Sequence, residues 1–350
     1  MKILVTGNMG YIGPVLMERF RATRPGATLV GLDTGFFADC ITNALVLPET
    51  RIDVQYFADM RNFPPEVLDG VEAVVHLAAI SNDPMGNTFS EATYDINHQA
   101  GVRLARESKA RGVKWFVFAS SCSMYGSADD APRKEDSPFN PLTAYAKSKV
   151  YTEADLKGMA DRDFLVTSLR FSTACGMSER LRLDLVLNDF VACALTTRQI
   201  TVLSDGTPWR PLINVRDMAR AIDWAVGREE AAGGAFLAVN VGSNDWNYQV
   251  RDLAQAVAAA IPGVTVSINE NAQPDKRSYR VNFDLFRELA PNHQPEFDLP
   301  MTIRELQAGL SAMGFKDGNF RNSRFMRLQV LAELREKGLL SEQLEWLPRA

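Results

Sequence analysis

A chain of 350 residues, 46% hydrophobic and 23% charged, has room for one large domain or two, and it excludes disordered, collagen-like and coiled-coil architectures. Its net charge of −5 comes without a Lys/Arg block, which argues against electrostatic capture of nucleic acid. The longest stretch without a charge, 253–269, is broken by Pro262 and Gly263, so no window offers the ~20 apolar residues of a membrane helix.

In chain order, short and nearly continuous apolar runs at 2–6 (KILVT), 28–33, 54–59, 73–77, 114–120 and 165–170 read as strands covered on both faces. Helical patterns at 14–22, 90–111 and 144–160 separate them, and this alternation predicts βαβ units in a doubly wound parallel sheet. Beyond Phe171 the pattern loosens: helices are expected at 181–197, 215–227 and 249–261, and strands at 200–203, 236–241 and 264–268. Pro-containing loops are expected at 271–280 and 291–300, and an amphipathic helix with a capping tail from Arg321 onward. The expected division is a dinucleotide-binding Rossmann domain, 1–175 plus about 212–245, and a smaller irregular α/β lobe, about 176–211 and 246–350.

No signal peptide is legible after Met1, because the first apolar run is four residues long and ends in a glycine turn. Cys40, Cys122, Cys175 and Cys193 are widely spaced, as reduced thiols of a cytoplasmic protein would be. His76, His98 and His293 lack metal-ligand spacing, so no protein-held metal is expected.

The first chemical signal is Gly7-Asn8-Met9-Gly10-Tyr11-Ile12-Gly13, between the first strand and a helix. Gly7 suits the tight turn, Gly10 the approach of a pyrophosphate, and Gly13 close packing of helix on strand. Free N–H groups at the helix start would hold the phosphates. Asp33 ends the next strand, where its carboxylate can accept from a ribose diol and repel the 2′-phosphate of NADP; NAD is the expected cofactor.

The second signal is Tyr145 and Lys149, four apart on one helix face. An ammonium near a phenol favours the phenolate, which can take a proton from an alcohol whose carbon gives hydride to a nicotinamide. Ser120-Ser121-Cys122-Ser123 leaves the fifth strand at its carboxyl end, where ligands of open α/β sheets bind. A serine there can hold the alcohol against Tyr145. Nothing cationic flanks Cys122 to lower its pKa, so it is not expected to be reactive.

Taken as an ordered set, TGNMGYIG, Asp33, Asp59, HLAA at 76–79, SSCSMYG, YAKSK, LRFSTACG and RPLINVRD resemble the extended short-chain dehydrogenase/reductase superfamily. Within it, the resemblance is to the NAD-dependent nucleotide-sugar epimerase/dehydratase branch. It implies that Asp59 and Met60 lie at the adenine and that Leu77, Ala78 and Ala79 line the cofactor. Ser121, Tyr145 and Lys149 would be catalytic. Ser123 and Thr173 would contact the sugar, and Arg210 and Arg277 would grip a nucleoside diphosphate. It also implies a homodimer through the 90–111 and 144–160 helices.

Three departures narrow the reading. Cys122 and Ser123 stand where dehydratases of this branch carry an Asp-Glu pair, which disfavours a 4,6-dehydratase. Ser123 stands where 3,5-epimerising members carry a Cys, and Thr173 replaces the usual substrate-contacting Asn. The expected activity is therefore epimerisation of a nucleoside-diphosphate sugar, at C4, through a transient keto sugar. The alternatives are a keto-sugar reductase or dehydrogenase using the same residues, and a non-catalytic dinucleotide sensor.

Overall fold

The computed structural model describes residues 1–127, 131–269, 271–272 and 277–348; part of the loop expected at 271–280 lies outside these. The apolar runs form β1 (Lys2–Thr6), β2 (Thr28–Asp33), β3 (Val54–Phe57), β4 (Ala73–His76), β5 (Trp115–Ser121) and β6 (Leu165–Phe171). The later strands are β7 (Thr173–Cys175), β8 (Gln199–Val202), β9 (Trp209–Asn214), β10 (Phe236–Val241), β11 (Asn247–Gln249) and β12 (Thr265–Ile268).

Seven strands form one sheet in the order β10-β6-β5-β4-β1-β2-β3, every pair parallel. Side chains alternate across it. Ile3, Val5, Val75, Val117 and Leu169 pack toward the Gly13–Thr23 and Val215–Ala225 helices. Leu4, Val30, Val74, Phe116 and Val166 pack with Ala100, Leu104 and Leu156 of the Ala100–Ala110 and Ala144–Met159 helices. Both faces of the central strands are covered, which is why they read as unbroken apolar runs, whereas the edge strand β3 is largely exposed. Strand order reverses between β1 and β4, so a crevice opens beyond their carboxyl ends.

Several expectations need correction. The 90–111 helix is Ser90–Thr93, a π-helical stretch Tyr94–Gln99, and then Ala100–Ala110. The helix expected from 181 begins only at Val186, because the preceding residues turn Arg182 and Asp184 into the crevice wall. The Pro-containing stretch 291–300 ends in a helix, Leu299–Ala312, where Asp298 caps the N-terminus and accepts from the Met301 N–H at 2.7 Å. Pro300 is the mark of that start, since the first turn needs no N–H donor. From Arg321 onward, the α-helix covers only Arg327–Glu336.

Candidate active site

The crevice is a cavity of ≈ 760 Å³ at the carboxyl ends of β1, β2, β4 and β5. The chain leaves β1 through Gly7, whose φ is +73°; a Cβ there would stand 2.5 Å from the Ala78 backbone nitrogen. At Gly13 a Cβ would lie 1.8 Å from the Asn8 carbonyl oxygen. Only glycine allows both approaches. The Gly13–Thr23 helix has no capping side chain and no acid in its first turn, so its amide donors and dipole are left for an anion. Gly10, Tyr11 and Ile12 line the cavity there.

Asp33 closes the next strand, its carboxylate accepting from the Met9 N–H at 3.0 Å and the Gly35 N–H at 2.8 Å. Burial raises its pKa, and those two N–H groups oppose the rise. Met60, Leu77, Ala78 and Ala79 line the same wall, together with Asp59, whose carboxylate caps a short 3-10 turn and pairs with Arg61 at 2.6 Å. Asn8, Met9 and Gly13 are not on the wall. Asn8 is buried and donates to Gln55 at 2.7 Å, Met9 is buried, and Gly13 serves packing. These features fit a dinucleotide: two backbone cradles that a Cβ would fill, an uncapped helix start, and a carboxylate at the second strand.

Thr143 caps the Ala144–Met159 helix, and Tyr145 and Lys149 project from its first two turns into the cavity. Gly86 lets the neighbouring chain approach, since a Cβ there would stand 3.1 Å from the Tyr145 Cβ. The Lys149 ammonium lies 5.6 Å from the Tyr145 ring centroid and donates to the Ala119 carbonyl at 2.6 Å. Burial pushes Lys149 down to about 7, with Glu153 opposing. Burial pushes Tyr145 up to about 12, and its hydrogen bond with Ser121 opposes. Ser121 also caps the turn after β5, accepting from the Ser123 N–H at 3.1 Å. The Ser123 hydroxyl is buried in the wall and, among the described residues, has no hydrogen-bond partner. Cys122 points away, its thiol donating to the Arg170 carbonyl at 3.1 Å, and burial raises its pKa far above the ordinary range.

At the other end stand Thr173, Arg210 and Arg277. The Arg210 guanidinium donates to the carbonyls of Trp209 and Arg277, which brings the two arginines together. Arg277 pairs with Asp83 at 2.6 Å, and Asp83 also accepts from the Thr143 hydroxyl at 2.6 Å. Sequence reading missed Asp83, as well as Arg182, Tyr279 and Arg327, all of which line the cavity. Arg182 is held by Asp184 at 2.8 Å and by the Ser81 hydroxyl at 2.9 Å. Asp83 carried one local signal, the Asn-Asp-Pro run that starts the Asp83–Thr88 helix. Among the described residues no group of three or more His, Cys, Asp or Glu is arranged to hold a metal, and no helix is long and apolar enough to cross a membrane.

Sheet and cavity together define a doubly wound fold of the dinucleotide-binding class, with a tyrosine, a lysine and a serine converging on one cavity. The chain belongs to the NAD dependent epimerase/dehydratase family, which matches residues 3–242, and NAD is its cofactor. It is 28% identical over 271 residues to a UDP-glucose 4-epimerase of Corynebacterium glutamicum, covering 73% of this chain and 79% of that one. Among solved structures, its fold is similar to the NAD-dependent NDP-hexosamine 5,6-dehydratase TunA of tunicamycin biosynthesis. The TM-score is 0.75 at 24% identity, over 91% of this chain and 99% of that one. MoeE5 in complex with UDP-glucose and NAD gives a TM-score of 0.74 at 22% identity, over 89% and 99% of the two chains.

Proposed function

We propose that this chain is an epimerase of nucleoside-diphosphate sugars acting at C4, with Ser121, Tyr145 and Lys149 as its catalytic residues. The observation that carries the reading is the convergence of these three groups and the unpartnered Ser123 hydroxyl on one cavity, with no carboxylate after Ser121. Asp83, a carboxylate on the same wall, is already engaged by Arg277 and Thr143.

In this reading Tyr145 takes the proton of the sugar alcohol while Ser121 and Ser123 hold the hydroxyl. Burial drives both Tyr145 and Lys149 toward their neutral forms and so opposes the phenolate. When bound, NAD would supply the hydride acceptor and, in its oxidised form, a positive charge that favours the phenolate. Lys149 holds the proton inventory of the site, and Arg210 and Arg277 anchor the diphosphate so that the keto sugar can turn its other face. Gly7, Gly10, Tyr11, Ile12 and Asp33 hold the dinucleotide.

The same proposal keeps the division into a dinucleotide-binding domain, 1–175 plus about 212–245, and a smaller lobe, about 176–211 and 246–350, with the substrate held between them. It also includes a cytoplasmic setting, supported by four buried free thiols, and a homodimer. The face that would pair carries Tyr151, 46% exposed and stacked on Tyr94 at 6.2 Å, beside the His98–Asp155 contact. A monomer mass by sedimentation at micromolar concentration removes the dimer.

The deciding experiment offers a panel of sugar nucleotides with no added cofactor. Epimerised product without net NADH is expected, whereas a stoichiometric demand for NAD(P)H would favour a keto-sugar reductase. Tyr145→Phe should lower turnover by ~10²–10⁴-fold while retaining NAD. Parental turnover in that variant would sink the catalytic assignment.

A further inference from the structure

The cofactor end of the cavity is braced by a part of the chain far from the dinucleotide motifs. Its wall includes Asp33, Thr34 and Phe36 after β2 and Asp59 and Met60 after β3. Both loops are tied to the C-terminal tail. Arg61 binds the Asp59 carboxylate through two nitrogens, at 3.0 and 2.6 Å, and with the same guanidinium donates to the carbonyls of Gln343 at 2.7 Å and Leu344 at 3.0 Å. The Trp346 indole donates to the Thr34 carbonyl at 2.7 Å and hydroxyl at 3.1 Å, and its ring lies 5.6 Å from that of Phe36.

The apolar side of the tail is buried as well. Leu340 and Leu344 pack with Phe36, Ile80, Met85 and Leu331, and Ile80 is itself on the cavity wall. Leu344 holds a left-handed backbone at φ +57°, which a leucine keeps only where its surroundings over-determine it. The helix leading into the tail begins with Arg327, a buried guanidinium on the wall, 4.9 Å from the Phe37 ring. It donates to the carbonyls of Arg180 and Arg324, and no carboxylate among the described residues pairs with it. A buried guanidinium whose hydrogen bonds go to carbonyls adds positive potential to a cavity wall suited to a diphosphate.

We propose that Arg61 and Trp346 are positioning residues for NAD: through Asp59 and Thr34 the docked tail fixes both loops at the adenosine end and so strengthens NAD binding. This rests on placing the adenosine at Asp33 and Asp59, and it is independent of which sugar carbon reacts. A retained cofactor suits a reaction that returns its hydride within one turnover.

Linkage supplies the test, because a tail that strengthens NAD binding must itself be held more firmly when NAD is bound. Hydrogen exchange of the 339–347 amides in the unmodified chain should slow about tenfold or more with NAD, and also with ADP-ribose, but not with nicotinamide mononucleotide. Trp346→Ala should raise the NAD dissociation constant about tenfold or more by calorimetry and speed cofactor release, with kcat at saturating NAD unchanged. Trp346→Phe, which keeps the ring on Phe36 and loses the indole donor, should fall between. Tail exchange indifferent to all three ligands, although calorimetry shows NAD bound, overturns the proposal. So does a folded Trp346→Ala chain that melts lower yet binds NAD as the parent does. A parent chain that binds no NAD fails at the calorimetry step, which separates loss of the cofactor reading from loss of this one.

Discussion

Asp33→Asn perturbs one atom type at the end of β2, and its consequence follows from two hydrogen bonds. In the parent, one carboxylate oxygen accepts from Met9 of the glycine loop and the other from Gly35. An amide has a single oxygen, so one of these N–H groups must face an NH2 group instead. Losing a hydrogen bond to a charged acceptor costs about 1.5–3 kcal/mol. The same exchange converts one acceptor for the ribose diol into a donor, and a loss of that size weakens NAD by about 10- to 150-fold. NADP should lose less, because the carboxylate that repels its 2′-phosphate has gone, so the ratio of the two affinities moves toward one. Calorimetric titration with both dinucleotides at one salt concentration measures this, beside thermal melting of the free chain. If NAD affinity stays within about twofold of the parent, well under the 1.4 kcal/mol of a tenfold change, Asp33 is not the ribose partner and the argument from the β2 carboxylate fails.

Two further outcomes test the packing beneath the site. Glu153 and Arg170 form a buried pair at 2.8 Å, with the Ser168 hydroxyl donating to Glu153 at 2.8 Å. Glu153→Ala strands the Arg170 cation and should cost about 3–5 kcal/mol in urea unfolding; parental stability would contradict this. Burial without a partner for Nε2 pushes His76 down from 6.5 to about 3. The unfolded chain therefore binds a proton that the folded one refuses, and His76 removes stability as pH falls from 6.5 toward 3. His76→Asn, which keeps a polar atom near the Thr6 hydroxyl, should flatten the fall in melting temperature between pH 6.5 and 4. An unchanged slope would assign that acid sensitivity elsewhere.

The sheet was legible in the sequence because strands buried on both faces must be apolar throughout, and the glycine loop because its demands are local. Gly7 turns the chain at positive φ and Gly13 meets the Asn8 carbonyl, both within the first βαβ unit, and Tyr145 and Lys149 need only one helix to share a face. Thr143 as a cap and Pro300 as a helix start are local too, yet both went unread, Pro300 because a proline between apolar residues suggests a loop as readily as a first turn. What pairs with the site residues belongs to another class. Asp83 meets Arg277 across 194 positions, Ser81 meets Arg182 across 101, and Thr34 meets Trp346 across 312. No periodicity records such pairs, since each partner alone reads as an ordinary polar or tail residue. Burial, likewise, is a property of the assembled chain: it drives Lys149 and Tyr145 toward neutrality although their spacing suggests a charged pair. Local backbone geometry and continuous burial thus wrote the frame into the sequence, whereas the charge state of the site and the bracing of its cofactor end arise only when distant segments are brought together and water is excluded.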